Sequence, residues 1–119
     1  MTKLAGKRIL VVDDDSLLAL DLEVFLEDEG SVVVGPAPSV DAALALIAAE
    51  PPDAAILDID LGGQTSEPIA DELAARGVGF LFISGHSQAK LPAAHSHRQL
   101  LPKPWTEATL HDGLVRLLS

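Results

Sequence analysis

The chain has 119 residues, 48% of them hydrophobic, so it is long enough and apolar enough to fold around a single core. Its formal net charge of −10, from 18 acidic and 8 basic residues, disfavours binding to nucleic acid. No apolar run is long enough for a membrane span or a signal peptide, and cysteine is absent, so we expect a cytoplasmic protein with no membrane association and no disulfides.

Short apolar runs that stop at polar residues or glycine predict buried strands along the chain. The first run is rich in β-branched residues, and the third runs into Asp58 shortly before the pair Gly62 and Gly63. We expect Gly35 and Pro36 to end the second strand. In chain order, the predicted strands are 8–12, 32–34, 54–57, 80–83 and 100–101.

Apolar residues at helical spacing predict helices between the strands, each beginning near a residue that can cap it. Asp15 or Ser16 can cap the first helix, which runs to residue 28, and Ser39 can cap the second. The third runs from 67 to about 76 after a loop at 64–66, and Thr106 caps the last. The segment 86–99 lacks a clean apolar stripe and contains Pro92, so we expect only a short or frayed fourth helix there.

Polar side chains follow four of the predicted strands. Asp13 and Asp14 follow the first strand, Asp58 the third, Ser84 the fourth and Lys103 the fifth. Apolar strands alternating with helices are typical of a parallel sheet covered on both faces, in which ligands bind beyond the carboxyl ends of the strands. We therefore expect one α/β domain over residues 1–119, without an output domain, and a site at that edge of the sheet.

The chemistry of these side chains favours phosphoryl transfer. Two carboxylates about 4 Å apart repel by roughly 4 kcal/mol at an effective dielectric near 20, so either their pKa values rise or a cation lies among them. Oxygen ligands and water access suit Mg²⁺. Lys103 can hold a phosphoryl oxygen, Ser84 can donate a hydrogen bond, and Asp58 can act as the nucleophile that forms an aspartyl phosphate.

The set resembles the receiver domain of two-component response regulators. The residues that carry the resemblance lie in four segments, at 9–15, 52–61, 83–85 and 103–104. The resemblance implies a flavodoxin-like, doubly wound, five-stranded parallel sheet of order 2-1-3-4-5, with about five helices. It also implies that Asp14 ligates Mg²⁺ directly and Asp13 mostly through water. Asp58 is then the phosphoryl acceptor and a metal ligand, and the backbone carbonyl of Asp60 is a further ligand.

The partners follow from the same resemblance. A histidine kinase or a histidine phosphotransfer protein would donate the phosphoryl group. Ser84 and Lys103 would read the phosphorylated state, and a downstream protein would bind the face formed by the fourth helix, the fifth strand and the fifth helix. Many receivers carry an aromatic residue three positions before the lysine, where this chain has Leu100. The segment 80–85 is similar to that of single-domain receivers with an atypical fourth helix. We expect a monomer or a weak dimer.

Alternative interpretations remain. Each polar residue taken alone is commonplace, since Asp13–Asp15 would suit a helix start and Lys103 a surface lysine. The chain could be a receiver-like scaffold that works without phosphorylation. Asp58 and Asp60 also resemble the nucleophile pair of haloacid-dehalogenase-type phosphatases, although that family places the pair after its first strand. The histidines at 86, 95 and 97 are expected to be solvated loop residues, and the tryptophan at 105 to be partly buried.

Overall fold

The computed structural model describes residues 4–85, 91–103 and 105–118, and for Asp60 the backbone alone. Within these residues, five parallel strands form one sheet and two short strands form a hairpin. The strands are β1 Arg8–Val12, β2 Val32–Ala37, β3 Ala54–Asp58, β4 Asp60–Leu61, β5 Gln64–Thr65, β6 Gly79–Ser84 and β7 Leu100–Pro102. The sheet order β2-β1-β3-β6-β7 confirms the expected doubly wound order, with β6 and β7 as its fourth and fifth strands.

Four α-helices lie in the described part of the chain. They are α1 Ser16–Asp28, α2 Val40–Ala49, α3 Glu67–Ala75 and α4 Glu107–Leu118. The Asp15 side chain caps α1 by accepting hydrogen bonds from the amides of Leu17 and Leu18, and Ser39 caps α2. None of the helices in these ranges is long and apolar enough to cross a membrane.

The described part of the expected short or frayed fourth helix contains no α-helix. Residues 91–99 contain only a 3₁₀ turn, Ala93–His95, and residues 86–90 lie outside the described ranges. Pro92 precedes the turn and has no amide hydrogen to donate, and the segment has no apolar stripe to pack on the sheet. The helix count is therefore four in the described residues instead of about five.

The two faces of the sheet carry separate cores, because successive side chains of a strand point to opposite sides. From β1, Leu10 and Val12 join the core under α2 and α3, whereas Ile9 and Val11 join the core under α1 and α4. Each fully buried side chain of this size contributes about 1.5–3 kcal/mol of transfer free energy.

Two short segments differ from their predictions. β2 continues past Gly35 and Pro36 to Ala37, because the pairing with β1 shifts register there and a bulge on an edge strand tolerates proline. The predicted loop at 64–66 contains β5, which pairs with β4 through a turn at Gly62 and Gly63. Both glycines have positive φ, at 56° and 94°, as both central residues of a type I′ hairpin turn require.

Candidate functional site

The strand register brings the predicted polar residues to one edge of the sheet. Asp13 directly follows β1, Asp58 ends β3, Ser84 ends β6 and Lys103 directly follows β7. These four strands are neighbours, in the order β1-β3-β6-β7. Asp58 pairs in register with Ile83, and Ser84 pairs with Pro102, so the strand ends coincide. Asp13, Asp58 and Ser84 are all buried.

Lys103 lies between two buried carboxylates. Its Nζ donates to Oδ2 of Asp58 at 2.8 Å and lies 3.3 Å from Oδ2 of Asp13. The Lys103 amide donates to the carbonyl of Ser84 at 2.8 Å, so the backbone of the lysine is fixed beside the end of β6. Burial alone would lower the pKa of Lys103, but the hydrogen bond to Asp58 and the charges of Asp13 and Asp58 outweigh it and raise that pKa.

The carboxylates form an acidic cluster that fits a hard cation. One oxygen each of Asp13, Asp14 and Asp58 lies within 4.8 Å of the others. Burial, and then the charge of Asp58, raise the pKa of Asp13, although the amide of Asp15 donates to its Oδ1 at 2.9 Å. Oδ2 of Asp13 accepts no hydrogen bond from any described residue. An all-oxygen donor set of three carboxylates suits Mg²⁺.

The acidic cluster opens into a solvent-accessible cavity of about 450 Å³. Glycines in the lining leave room in the cavity. A Cβ on Gly62 would lie 3.4 Å from Oδ2 of Asp14, and one on Gly85 would lie 3.8 Å from Cδ of Lys103. The cavity is therefore wide enough for a small tetrahedral group beside Asp58. Its lining residues are Asp14, Asp15, Leu18, Asp58, Gly62, Gly63, Gly85 and Lys103.

Two predicted residues relate to this cavity less directly. The Ser84 side chain is buried and does not line the cavity, although its carbonyl binds the lysine backbone. The backbone of Asp60 lies in β4 opposite Thr65. The role of its carbonyl as a metal ligand stays a prediction.

The prediction that His95 is a solvated loop residue is wrong, and sequence reasoning missed its structural role. Its side chain is buried, with Nε2 2.8 Å from Oδ1 of Asp71 and the ring packed against Phe80 at a centroid distance of 5.4 Å. Asp71 and Phe80 come from other elements, so local sequence gives no signal for this contact. His97 is exposed, as expected, and His86 lies outside the described residues.

Trp105 is half-buried, in agreement with its prediction. Its ring meets Phe25 of α1 edge to face, with a centroid distance of 5.7 Å. This contact links the start of α4 to α1 in the core beneath that face of the sheet.

The fold and the site define a class: doubly wound α/β proteins with an acidic cluster and a lysine at the carboxyl edge of the sheet. Within that class, the chain belongs to the response regulator receiver domain family, whose sequence model matches residues 9–114. This confirms the resemblance and makes the chain a receiver domain of two-component signalling, a signalling module and not a conventional enzyme.

Solved structures agree with this assignment. The solution structure of SdrG from Sphingomonas melonis is 39% identical, covers the whole of both chains and has a TM-score of 0.85. SdrG in its BeF₃-activated conformation is 40% identical, with a TM-score of 0.80 and coverage of 97% of this chain and 98% of that chain. The response regulator PhyR from Brucella abortus is 25% identical with a TM-score of 0.81, and the match covers 97% of this chain and 49% of PhyR.

A curated relative extends beyond the matched region. The transcriptional regulatory protein PdtaR of Mycobacterium tuberculosis is 28% identical over 86 residues, which is 71% of this chain. The match spans 42% of the length of PdtaR, so similarity covers less than half of that protein.

Proposed function

We propose that this chain is the phosphoacceptor of a two-component phosphorelay and that Asp58 receives the phosphoryl group. The observation that carries the proposal is the pairing of Asp58 with Lys103 at 2.8 Å, beside two further carboxylates, at the mouth of an open cavity. A lysine that already contacts the acceptor can follow its oxygens through the reaction and neutralise charge on the transferred group.

The proposed donor is a phosphohistidine of a histidine kinase or a histidine phosphotransfer protein. A carboxylate oxygen of Asp58 attacks phosphorus, a P–O bond forms, and the P–N bond to the donor imidazole breaks. The electron pair stays on the imidazole nitrogen, which takes a proton from solvent. Phosphoryl transfer of this kind depends mainly on positioning and charge neutralisation, which is what the site offers.

The acidic cluster would hold Mg²⁺ for this reaction. Asp14 and Asp58, the carbonyl of Asp60 and, mostly through water, Asp13 are the proposed ligands. A bound Mg²⁺ supplies neutralisation of charge on phosphoryl oxygens. Lys103 is the complementary positive group from the protein, and Ser84, at the end of β6, is the proposed hydrogen-bond donor to the phosphorylated state.

The exposed side of α1 is the surface that we propose for docking of the phosphodonor. Leu17, Leu20 and Val24 form an apolar stripe with exposures of 73%, 51% and 49%. Grooves of about 460 and 340 Å³ flank it, with Glu23 in one and Asp21 in the other. The stripe begins beside the site cavity, because α1 starts next to Asp15. A helical bundle with apolar residues bordered by basic ones would be complementary to this apolar stripe and its acidic borders.

Intact-mass spectrometry after incubation with acetyl phosphate and Mg²⁺ tests the acceptor. We expect one added phosphoryl group on the wild-type chain, none on Asp58→Asn, and one on Asp60→Ala, because only the backbone of Asp60 is proposed to act. Retention of the modification in Asp58→Asn, or its absence from the wild-type chain at millimolar Mg²⁺, would contradict the proposal. Beryllofluoride is a suitable second probe, since the similar protein SdrG has a BeF₃-activated conformation.

Docking on α1 is tested by comparing two donors. Leu20→Ser is expected to slow transfer from a purified histidine kinase by about tenfold, as for a central interface residue, without changing phosphorylation by acetyl phosphate. Val32→Ser is the matched control, since Val32 is also 51% exposed but begins β2 opposite Arg8, at the end of the strand away from the site. If the kinase phosphorylates Leu20→Ser and Val32→Ser at equal rates, α1 is not the docking surface.

Partner binding distinguishes the proposed function from the alternative of a scaffold that works without phosphorylation. If binding of a downstream partner is the same for the wild-type chain and Asp58→Asn, with and without acetyl phosphate, the fold works without phosphorylation. No observation favours the phosphatase alternative, since Asp58 ends the third strand and not the first, and the family match covers residues 9–114.

A further inference from the structure

The segment that joins β6 to β7 precedes the site lysine by one short strand, and its described part has little regular structure. Parallel neighbours in a sheet are usually joined through a helix that packs on the sheet. Here the described part, 91–99, has only the turn Ala93–His95. β7 is a three-residue edge strand with half-buried leucines, and Lys103 follows it directly. Pairing with β6 and the hydrogen bond from the Lys103 amide to the Ser84 carbonyl hold β7, and other contacts must hold the segment that precedes it.

His95 supplies such a contact toward α3. Nε2 of the imidazole lies 2.8 Å from Oδ1 of Asp71 in α3, and because a carboxylate only accepts, Nε2 carries the hydrogen. The ring lies against Phe80 and Phe82 of β6, at centroid distances of 5.4 and 6.4 Å. The guanidinium of Arg98 covers the Phe80 ring at 4.2 Å. His95 thus ties the segment to both α3 and β6.

Gln99 holds the same segment toward the opposite face of the sheet. Its side-chain amide donates to the carbonyl of Gly113 in α4 at 3.1 Å. Its own carbonyl accepts from the amide of Phe82 at 2.9 Å, one residue before β7 begins. The segment is therefore attached to α3 through His95 and to α4 through Gln99, and these two attachments add to the pairing of β7 with β6 in placing Lys103.

The imidazole of His95 does more than fill the space beside the rings of Phe80 and Phe82. Nδ1 is buried and has no hydrogen-bond partner among the described residues. A buried nitrogen without a partner carries a free-energy penalty that a phenylalanine at this position would avoid. The contact that a phenylalanine could not make is the hydrogen bond from Nε2 to Asp71.

We propose that His95 is a positioning residue for the phosphorylation site: through Asp71 and the phenylalanines it fixes the segment that presents Lys103 to Asp58. The inference rests on the proposed function of Asp58. Because coupling between two sites is reciprocal, a change at Asp58 that moves Lys103 also changes the His95–Asp71 contact at the surface of α3. The histidine therefore links the phosphorylation state to a helix outside the site.

The test measures beryllofluoride affinity, in the presence of Mg²⁺, for three variants of the full chain. His95→Phe keeps an aromatic ring and removes the hydrogen bond. Asp71→Ala removes the partner, and because the Asp71 side chain is 60% exposed, no apolar core contact is lost. The control is Glu72→Ala, the next residue of α3, whose ion pair with Arg76 at 2.7 Å is exposed. Urea unfolding of each variant identifies conditions in which all are folded.

We expect His95→Phe and Asp71→Ala each to weaken beryllofluoride binding by about three- to tenfold, and the double variant to be no weaker than the weaker single one. Glu72→Ala should bind like the wild-type chain. The ring nitrogens of His95 should also shift in ¹⁵N NMR spectra when beryllofluoride binds the wild-type chain. A role in stability alone would lower the urea midpoint without moving either quantity.

Two results would overturn the inference, and they differ from failure of the proposed function. In the first result, the wild-type chain is phosphorylated, but His95→Phe and Asp71→Ala bind beryllofluoride as tightly as Glu72→Ala does. His95 then does not position the site. Unchanged His95 ring-nitrogen signals would show that the two regions are not coupled. A wild-type chain that takes no phosphoryl group would overturn the proposed function, and this inference with it.

Discussion

Replacing the buried Asp13 by asparagine should stabilise the protein when no metal is added. Asparagine has nearly the same size and keeps an oxygen that can accept from the amide of Asp15, which donates to Asp13 at 2.9 Å. The change removes only the charge. The raised pKa of Asp13, caused first by burial and then by Asp58, indicates that this charge is unfavourable in the folded state.

The magnitude follows from the distances. An Asp13 oxygen lies within 4.8 Å of one of Asp58, so at an effective dielectric of about 20 the two carboxylates repel by about 3.5 kcal/mol. The ammonium of Lys103, at 3.3 Å, returns about 5 kcal/mol of attraction. The surplus of about 1.5 kcal/mol is smaller than the desolvation penalty of several kcal/mol for a buried ion. We expect Asp13→Asn to raise the free energy of unfolding by about 1–3 kcal/mol.

Urea and thermal unfolding at neutral pH with a chelator measure this difference. For 119 residues, 1 kcal/mol corresponds to roughly 4 °C in Tm. The pKa of Asp13 is raised on folding, so the penalty is complete above the folded pKa and absent below the ordinary aspartate value. The gain should therefore be largest at neutral pH and disappear as the pH falls through that window.

The matched control is Asp15→Asn, the same chemical change two residues away. Asp15 is exposed, and asparagine caps a helix about as well as aspartate, so its stability should change by less than about 0.5 kcal/mol. An Asp13→Asn variant that is less stable than the wild-type chain at neutral pH would refute the reasoning. It would mean that Lys103 more than compensates the buried charge.

Two further predictions concern the same edge of the sheet. Lys103→Met should lower the free energy of unfolding by about 1–3 kcal/mol at neutral pH, because two buried carboxylates lose their ammonium. Since the pKa of Lys103 is raised on folding, this loss should persist below the ordinary lysine pKa and fade as the pH rises through the folded value, which urea unfolding up to alkaline pH would reveal. Gly63→Ala should lower the free energy of unfolding by about 1–2 kcal/mol in thermal unfolding, because φ is 94° there. Nothing lies within 4 Å of the added Cβ, so the loss would come from the backbone and not from a clash. A Gly63→Ala variant as stable as the wild-type chain would contradict the backbone explanation.

The sheet and most of the acidic cluster could be predicted because both depend on local sequence. A buried strand is a short apolar run, and its carboxyl end is the next polar residue, so Asp13, Asp58 and Lys103 are placed once the strands are parallel. The β4–β5 hairpin also had a local signal, since Gly62 and Gly63 separate two pairs of residues, but strands of two residues are too short for periodicity to show.

His95 could not be predicted, because its environment is assembled from distant parts of the chain. Asp71 is 24 residues away and Phe80 is in another element. The residues that follow His95 are polar and include a second histidine, which favours a solvated loop. The burial of a single ring depends on which strand the segment crosses, and that is a property of the folded sheet.

The charges of the site give a reason for a cation that does not depend on the family. Three carboxylates against the ammonium of Lys103 leave a formal charge of −2 within a few ångströms. An aspartyl phosphate at Asp58 exchanges one negative charge for about two, so the modified site would carry about −3. Lys103 already lies 2.8 Å from Asp58 and has no further charge to offer. A divalent cation would reduce the total to about −1, so phosphorylation of Asp58 should depend steeply on Mg²⁺, and Mg²⁺ that binds only the folded chain should also raise the free energy of unfolding.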